Sequence, residues 1–287
     1  MEMIRLGPVQ RIARLLILAL GLAYTIVPIL WIVSVAIRPP GTIVFPLSII
    51  PTSFSLENFR DVLFSGGTGA RSGIGVGPYV NAAVYGISSG ILTAIVSAMG
   101  GYALARYDVR AGRVLLLVML GLNFLPSAAR LVPLFLLFVH TGLFNTRVGV
   151  ILAYVAGAVP IGIWLMAGTI RQIPVRLEQA ARVDGAGPFT IARRIILPLA
   201  MPGVLVVATL AFVDGWNAFS LPLILTQSPD AQPYTVALQK YATGDFGIVW
   251  TGLAAGSVLG VLPVLVAFAL MHRRLLSSGG LTGAVQG

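Results

Sequence analysis

The sequence has no cysteine, which excludes disulfide bonds, cysteine-ligated zinc and thiol catalysis. It is also poor in charge: charged residues make up 10% of its 287 residues, whereas a soluble domain usually carries about a quarter. So few charges cannot cover the surface of a soluble two-domain enzyme, which the length alone would allow. Hydrophobic residues account for 57% of the chain, and the mean hydropathy is +0.94. This composition excludes intrinsic disorder and predicts an integral membrane protein.

The usual signatures of catalysis and cofactor binding are missing as well. The only lysine, Lys240, lacks the Gly-Lys-Ser/Thr context of a phosphate-binding loop. A GxGxG pattern at 73–77 follows no strand and precedes a long apolar segment, which favours a flexible linker. His140 and His272 stand alone, without the spacing of a metal site. We therefore expect no catalytic residues, no metal site and no cofactor bound by this chain.

Six apolar segments are long enough to cross a membrane. A hydrocarbon core of about 30 Å needs roughly 20 apolar residues in a helix. The segments that meet this length are 12–37, 80–105, 114–138, 148–170, 203–225 and 248–271. The first resembles a signal peptide in its basic start, but its apolar run is far longer than the 7–15 residues of a signal sequence. The sequence thus predicts an all-α protein with six transmembrane helices.

The distribution of positive charge predicts the orientation. Six spans place both termini on the same side, and 13 of the 19 Lys and Arg residues fall on that side, against five on the other. Cytoplasmic loops of membrane proteins are enriched in these residues, so we expect both termini in the cytoplasm. The net charge of +10 then needs no nucleic-acid partner. The predicted organisation is a cytoplasmic N-terminus (1–11), a six-span domain (12–271) and a cytoplasmic tail (272–287).

Glycine spacing predicts close helix packing. Gly86 and Gly90 form a GxxxG pattern, and Gly252, Gly256 and Gly260 form a longer one. Such faces allow helix backbones to approach closely. The alternative is that glycine is simply common, at 33 residues, and the pattern does not reveal whether the partner helix belongs to this chain.

The cytoplasmic loop 171–202 contains two short amphipathic helices. The first is predicted over 174–184, with Gly185 as a C-terminal cap at positive φ and with Leu177, Ala180 and Ala181 on one face. Pro188 opens the second, and Pro198 with Pro202 ends it. Such helices can lie on a bilayer surface. The alanines on the exposed side of the first helix instead favour binding in a groove of a partner protein.

This loop resembles the EAA signature of ABC importer permeases. The matching residues are Gln179-Ala180-Ala181, Asp184-Gly185-Ala186 and Ile195-Ile196-Leu197-Pro198, with Gln179 in the place of the glutamate and Glu178 just before it. Other boxes resemble the carbohydrate-uptake branch similar to the maltose-importer G subunit. They are Ser55-Leu56-Glu57-Asn58-Phe59, Pro133-Leu134-Phe135, Gly142-Leu143-Phe144-Asn145-Thr146, Trp216-Asn217-Ala218-Phe219 with Leu221-Pro222-Leu223, and the tail from Gly280 to Gly287.

The resemblance implies the function and the partners. It implies one half of the translocation pore of an ATP-driven importer for a sugar or sugar-like solute, in a bacterial or archaeal cytoplasmic membrane. The implied partners are a second homologous permease, a dimeric ATPase that holds ATP and Mg²⁺, an extracytoplasmic sugar-binding protein and the lipid bilayer. By analogy, the first short helix couples to the ATPase. The residues implied in that coupling are Leu177, Glu178, Gln179, Ala180, Ala181, Asp184, Gly185 and Ala186.

Polar residues inside the spans suggest the substrate path. An ionisable residue such as Asp214 is costly within a membrane and is therefore a functional candidate. Trp216 and Asn217 follow it and offer a ring face and an amide suited to a sugar, and Asn123 is a further candidate. The structural alternative is that Asp214 pairs with Arg130.

Two other classes of protein remain as alternatives. A secondary transporter acting without an ATPase would show ion-coupling charges and inverted repeats, and a membrane-embedded enzyme would need a catalytic cluster. The sequence fits both poorly. It does not identify the sugar.

Overall fold

The computed structural model describes residues 8–42, 50–51, 53–64, 73–243 and 248–277, and the regular elements in these ranges are helices. The first seven residues and the tail from 278 lie outside them, as does much of the predicted N-terminal segment. The longer elements are α1 (Pro8–Ala36), α2 (Glu57–Phe64), α3 (Gly77–Arg106), α4 (Arg110–Asn123), α5 (Ser127–His140), α6 (Arg147–Arg171) and α7 (Arg176–Val183). They continue with α8 (Pro188–Ile191), a π-helical turn (Ala192–Ile196), α9 (Leu197–Leu199), α10 (Met201–Trp216), α11 (Ser220–Leu225), α12 (Tyr234–Ala237), α13 (Gln239–Thr243) and α14 (Trp250–Ser277).

Within the described ranges, four helices are long and apolar enough to cross a membrane, namely α1, α3, α6 and α14. Two further pairs meet the same test together but are bent: α4 with α5 by 111°, and the segment Pro188–Leu199 with α10 by 75°. The all-helical prediction agrees with these elements. The first bent pair covers the predicted span 114–138. The second begins in the predicted loop 171–202 and covers only part of the predicted span 203–225.

Proline explains the bend between α4 and α5. The expected continuous helix 114–138 is interrupted at Pro126, which adopts φ −50° and ψ 132°. Proline has no N–H to donate and disfavours helical backbone in the preceding residue, here Leu125. The predicted span 114–138 is therefore a bent pair of helices.

Proline also shapes both ends of α10. Before it, the Leu197 N–H bonds the Ala192 carbonyl in the wider π turn, and Pro198 and Pro202 remove two further donors. After it, the expected helix 203–225 stops at Trp216, and α11 begins only at Ser220. Pro222 cannot donate to the Ala218 carbonyl, so a helix running through this point would lose a hydrogen bond.

The chain forms two compact units. In the unit built from Val76–Ala237 and Leu262–Gly287, α3 lies against α6 and α10. A Cβ on Gly86 would be 2.9 Å from the Phe212 carbonyl oxygen, and one on Gly90 would be 2.8 Å from that of Ala208. The predicted close approach at this GxxxG face is therefore confirmed, and its partner is α10 of the same chain.

Polar side chains of α3 fix the segment that follows α11. The Asn81 amide donates to the Gln232 carbonyl at 2.9 Å, and the Tyr85 hydroxyl donates to the Ala231 carbonyl at 2.5 Å. Both side chains are buried. These bonds hold the segment before α12 beside the start of α3.

The other unit comprises Met1–Gly75 and Leu238–Val261. The buried Asn58 of α2 donates to the Ala36 carbonyl at 2.9 Å and to the Arg38 carbonyl at 2.5 Å. These are carbonyls at the end of α1, which a helix leaves without internal partners. The asparagine of the Ser55–Phe59 box thus fastens α2 to the end of α1.

Candidate functional site

The loop between α6 and α10 contains a tightly capped short helix. Gly185 has φ +82°, as the sequence predicts for a C-terminal cap. Its N–H donates a hydrogen bond to the Arg182 carbonyl at 3.0 Å, and the N–H of Ala186 donates to the Ala181 carbonyl at 2.9 Å. This pair of bonds is the standard way in which a left-handed residue closes a helix. The helix itself, α7, is shorter than the predicted 174–184.

Glu178 points into the protein. Its side chain is fully buried, and its carboxylate oxygen Oε1 pairs with Nε of Arg106 at the end of α3. The other oxygen, Oε2, accepts a hydrogen bond from the Tyr102 hydroxyl at 3.3 Å and lies 3.7 Å from a nitrogen of Arg182. Glu178, which the resemblance implies in coupling, therefore lies beneath the exposed surface of the loop.

The exposed positions of the loop include apolar side chains as well as arginines. Leu177, Gln179 and Ala180 are exposed as expected, whereas Ala181 and Ala186 are half-buried against the core formed by α6, the π turn and α10. Ala181 therefore leaves the predicted face. Val183, 88% exposed, and Phe189, 76% exposed, were missed by sequence reasoning, although Val183 continues the three-residue spacing of Leu177 and Ala180. We call Leu177, Ala180, Val183 and Phe189 the apolar loop surface.

Contiguous patches of exposed apolar side chains can mark a contact with a partner. Gln179 and Asp184, both exposed, add polar groups beside the apolar loop surface. A short helix with this composition can dock in a groove of another protein.

The end of α10 presents two polar residues. Asp214 and Asn217 are exposed on this chain. The Asn217 amide donates to the Val213 carbonyl at 3.1 Å, and its Oδ1 accepts the Tyr234 hydroxyl at 3.1 Å. Burial raises the pKa of the Tyr234 phenol, so this tyrosine remains a hydrogen-bond donor at neutral pH. Tyr234 therefore orients Asn217, a role that sequence reasoning did not find.

Trp216 is placed differently from the expectation. Its side chain is 4% exposed, and its ring lies 6.2 Å from Phe212 and 5.5 Å from Tyr234 between centroids. Tyr234 in turn stacks on Tyr79 at 5.0 Å. Because these aromatic rings cover the indole, Trp216 supports the end of α10 instead of offering a free face to a sugar.

Asn123 and Arg130 interact with each other. Nη1 of Arg130 donates to Oδ1 of Asn123 at 3.2 Å, across the bend between α4 and α5. The ion pairs found among the described residues do not join Arg130 to Asp214. Asp214 thus lies in α10 and Asn217 at its C-terminal cap, whereas the hydrogen bond of Asn123 found among the described residues leads to Arg130.

The described ranges hold no group of three or more His, Asp or Glu residues able to bind a metal ion. The polar residues at the end of α10 can offer hydrogen bonds, and the apolar loop surface can offer a docking face.

Comparison with known proteins gives consistent matches. A family model described as "Binding-protein-dependent transport system inner membrane component" matches residues 86–276. The chain is 32% identical to the trehalose transport system permease protein SugB of Mycobacterium tuberculosis, over 93% of this chain and 95% of that protein. It is 33% identical to the diacetylchitobiose uptake system permease protein NgcG of Streptomyces coelicolor, over 91% and 85% respectively.

A solved structure shares the fold. It is a chain of a bacterial ABC transporter involved in the import of the acidic polysaccharide alginate, with a TM-score of 0.75 and 21% identity. The match covers 93% of this chain and 98% of that one.

Proposed function

The chain belongs to the family of binding-protein-dependent transport system inner membrane components, and on that premise we propose that it carries a sugar or sugar-like solute through an ATP-driven ABC importer. In this role it forms half of the translocation pore. The observation that carries the proposal is the capped helix α7 with its apolar loop surface, which lies inside the matched residues 86–276. The choice of a sugar as the solute rests on the relatives, which are permeases of a trehalose transport system and of a diacetylchitobiose uptake system.

The proposed topology has six spans, in which α4 with α5 forms the third span and α10 with α11 forms the fifth. Both termini and the loop 171–202 lie in the cytoplasm of a bacterial or archaeal cell, within the six-span domain 12–271. The asymmetry of Lys and Arg supports this orientation. It places the apolar loop surface in water, where a protein partner must cover it.

The proposed partners follow from this arrangement. A dimeric ATPase docks on the apolar loop surface and holds the ATP and Mg²⁺, while this chain binds no cofactor. A second homologous permease completes the pore, and an extracytoplasmic sugar-binding protein delivers the solute. Asp214 and Asn217 line the path, because both are exposed polar groups on α10.

The proposal predicts that the purified chain alone does not bind ATP. Lys240 has no phosphate-binding context, and its ammonium donates to the Gly73 carbonyl and lies 5.5 Å from the centre of the Tyr241 ring. Differential scanning fluorimetry with Mg²⁺-ATP should therefore show no shift in Tm, whereas a ligand at 100 times its Kd stabilises by about 2.7 kcal/mol. A stoichiometric, Mg²⁺-dependent ATP affinity of the isolated chain would contradict the proposal.

The transport activity itself is tested in proteoliposomes. The complex with the cognate permease, ATPase and binding protein should accumulate at least one member of a panel of labelled mono- and disaccharides that includes trehalose and diacetylchitobiose. Uptake should require ATP on the side of the membrane where the ATPase lies. It should vanish when the binding protein is left out. Uptake by this chain alone, driven by an ion gradient, would instead establish the secondary transporter.

Replacing Asp214 by alanine should reduce uptake and leave assembly intact. A carboxylate that accepts hydrogen bonds contributes about 1.5–3 kcal/mol, so the loss should be about tenfold or more. The measurement is initial uptake rate per assembled complex, with Asp230→Ala as the control, because Asp230 is an exposed acid outside α10. If Asp214→Ala and Arg130→Ala both fail to assemble, a structural role for these charges is the better account.

A further inference from the structure

The short helix α7 is attached to the protein through a charged side chain. Among its eight residues, only Glu178 is buried. A helix of this length is unstable by itself in water, so its orientation depends on the contacts that it makes. The alanines at 181 and 186 add a small apolar contact with the core.

The Arg106 side chain binds this loop at two points. Its Nε pairs with Glu178 inside α7, and its Nη2 donates at 2.8 Å to the carbonyl of Ile173, just before α7. The Arg106 side chain is 8% exposed and that of Glu178 is 1% exposed. With the Tyr102 hydroxyl on the second carboxylate oxygen, the two oxygens of Glu178 are both engaged by α3.

The same helix α3 reaches the proposed substrate path. Along its length it lies against α6 and α10, and at Gly86 and Gly90 it approaches the α10 backbone closely. Helix α10 carries Asp214 and Asn217. Close-packed helices of this kind transmit displacement, since they leave little free volume.

We propose that Glu178, Arg106 and Tyr102 form a positioning cluster that makes α7 and α3 move as one body, so that displacement of α7 by the ATPase reaches α10. This inference rests on the proposed function, in which α7 docks on the ATPase. The three residues touch neither ATP nor solute, and they act through α3.

The chemistry of the cluster suits this task. A charge-assisted, two-point arginine contact fixes distance and direction, whereas apolar contacts are non-directional. Stability alone does not require the pair, because well-packed apolar residues often replace a buried ion pair without loss. The charged cluster therefore serves to fix the position of α7 relative to α3.

The test uses the double variant Glu178→Leu with Arg106→Met in the complete complex. It leaves no unpaired buried charge, so it should assemble like the wild type. In proteoliposomes, with the sugar panel described above as the probe, we measure solute transported per ATP hydrolysed, normalised to assembled complex. This ratio should fall on the order of tenfold, since coupling networks typically carry effects of that size.

A second variant and a control complete the design. Glu178→Gln keeps the shape but removes the charge, and it should lower the same ratio. Arg113→Met removes an arginine that pairs with Asp108 at the surface, and it should leave the ratio unchanged.

A wild-type ratio in the assembled double variant would overturn the inference, because apolar packing would then suffice. The inference would also be overturned if the Glu178→Gln variant assembled less complex but kept the wild-type ratio of solute transported to ATP hydrolysed in each assembled complex. Failure of the proposed function would give a different result, because the wild-type complex itself would then transport no sugar of the panel in the presence of ATP.

Discussion

Valine in place of Gly185 is expected to abolish ATP-driven uptake by the assembled importer. Gly185 has φ +82°, and a Cβ there would meet no atom within 4 Å. The effect is therefore backbone strain and not a clash, because a left-handed conformation costs an ordinary residue about 1–2 kcal/mol and a β-branched one more. If the turn relaxes, both capping hydrogen bonds and the position of the apolar loop surface are lost.

A small displacement of this surface should suffice. Misplacement by about 1 Å can cost two orders of magnitude where geometry must be exact, and α7 transmits force in the proposed mechanism. The measurements are sugar uptake, stimulation of ATP hydrolysis by the loaded binding protein, and co-purification of the ATPase. The membrane spans should still insert, because Gly185 lies outside the candidate spans found among the described residues.

Two variants separate strain from bulk. Gly187→Val is the matched control, since Gly187 has φ −72° and ψ 162°, which valine adopts readily, and a Cβ there would also meet no atom within 4 Å. Gly185→Asn should retain part of the activity, because asparagine tolerates the left-handed region. Wild-type uptake and wild-type ATPase stimulation in Gly185→Val would remove this loop from coupling.

Leucine in place of Gly90 is expected to destabilise the protein strongly, with a lower yield and a lower Tm. Even the Cβ would lie 2.8 Å from the Ala208 carbonyl oxygen and 3.3 Å from the Phe212 Cβ. The obstacle is partly backbone of α10, which cannot rotate away like a side chain. Overpacking of a well-packed core costs about 1–3 kcal/mol or more, and the domain as a whole is stable by only about 5–15 kcal/mol.

The yield and Tm of detergent-solubilised protein measure this effect. Gly157→Leu is the control, since a Cβ on Gly157 of α6 would meet no atom within 4 Å, and it should behave like the wild type. If Gly90→Leu is recovered at wild-type yield and Tm, the close approach of α3 and α10 does not limit stability.

Several features of the protein follow from local sequence. The lack of charge and the long apolar runs predict membrane helices, because each residue's transfer free energy is independent of the fold. Gly185 is predictable as a left-handed cap, because glycine alone enters that region without steric cost. Pro126 marks the bend between α4 and α5, although the sequence prediction had counted one helix there.

The tertiary structure decided which neighbours these residues meet. Glu178 and Gln179 are adjacent and similar in size and shape, yet the first is buried and the second exposed, because only Glu178 faces Arg106, 72 positions away in the chain. Trp216 is likewise covered by Tyr234 from a later segment. Local patterns determine backbone conformation and average polarity, while the partner of a buried side chain depends on how distant helices pack, and no local pattern encodes that arrangement.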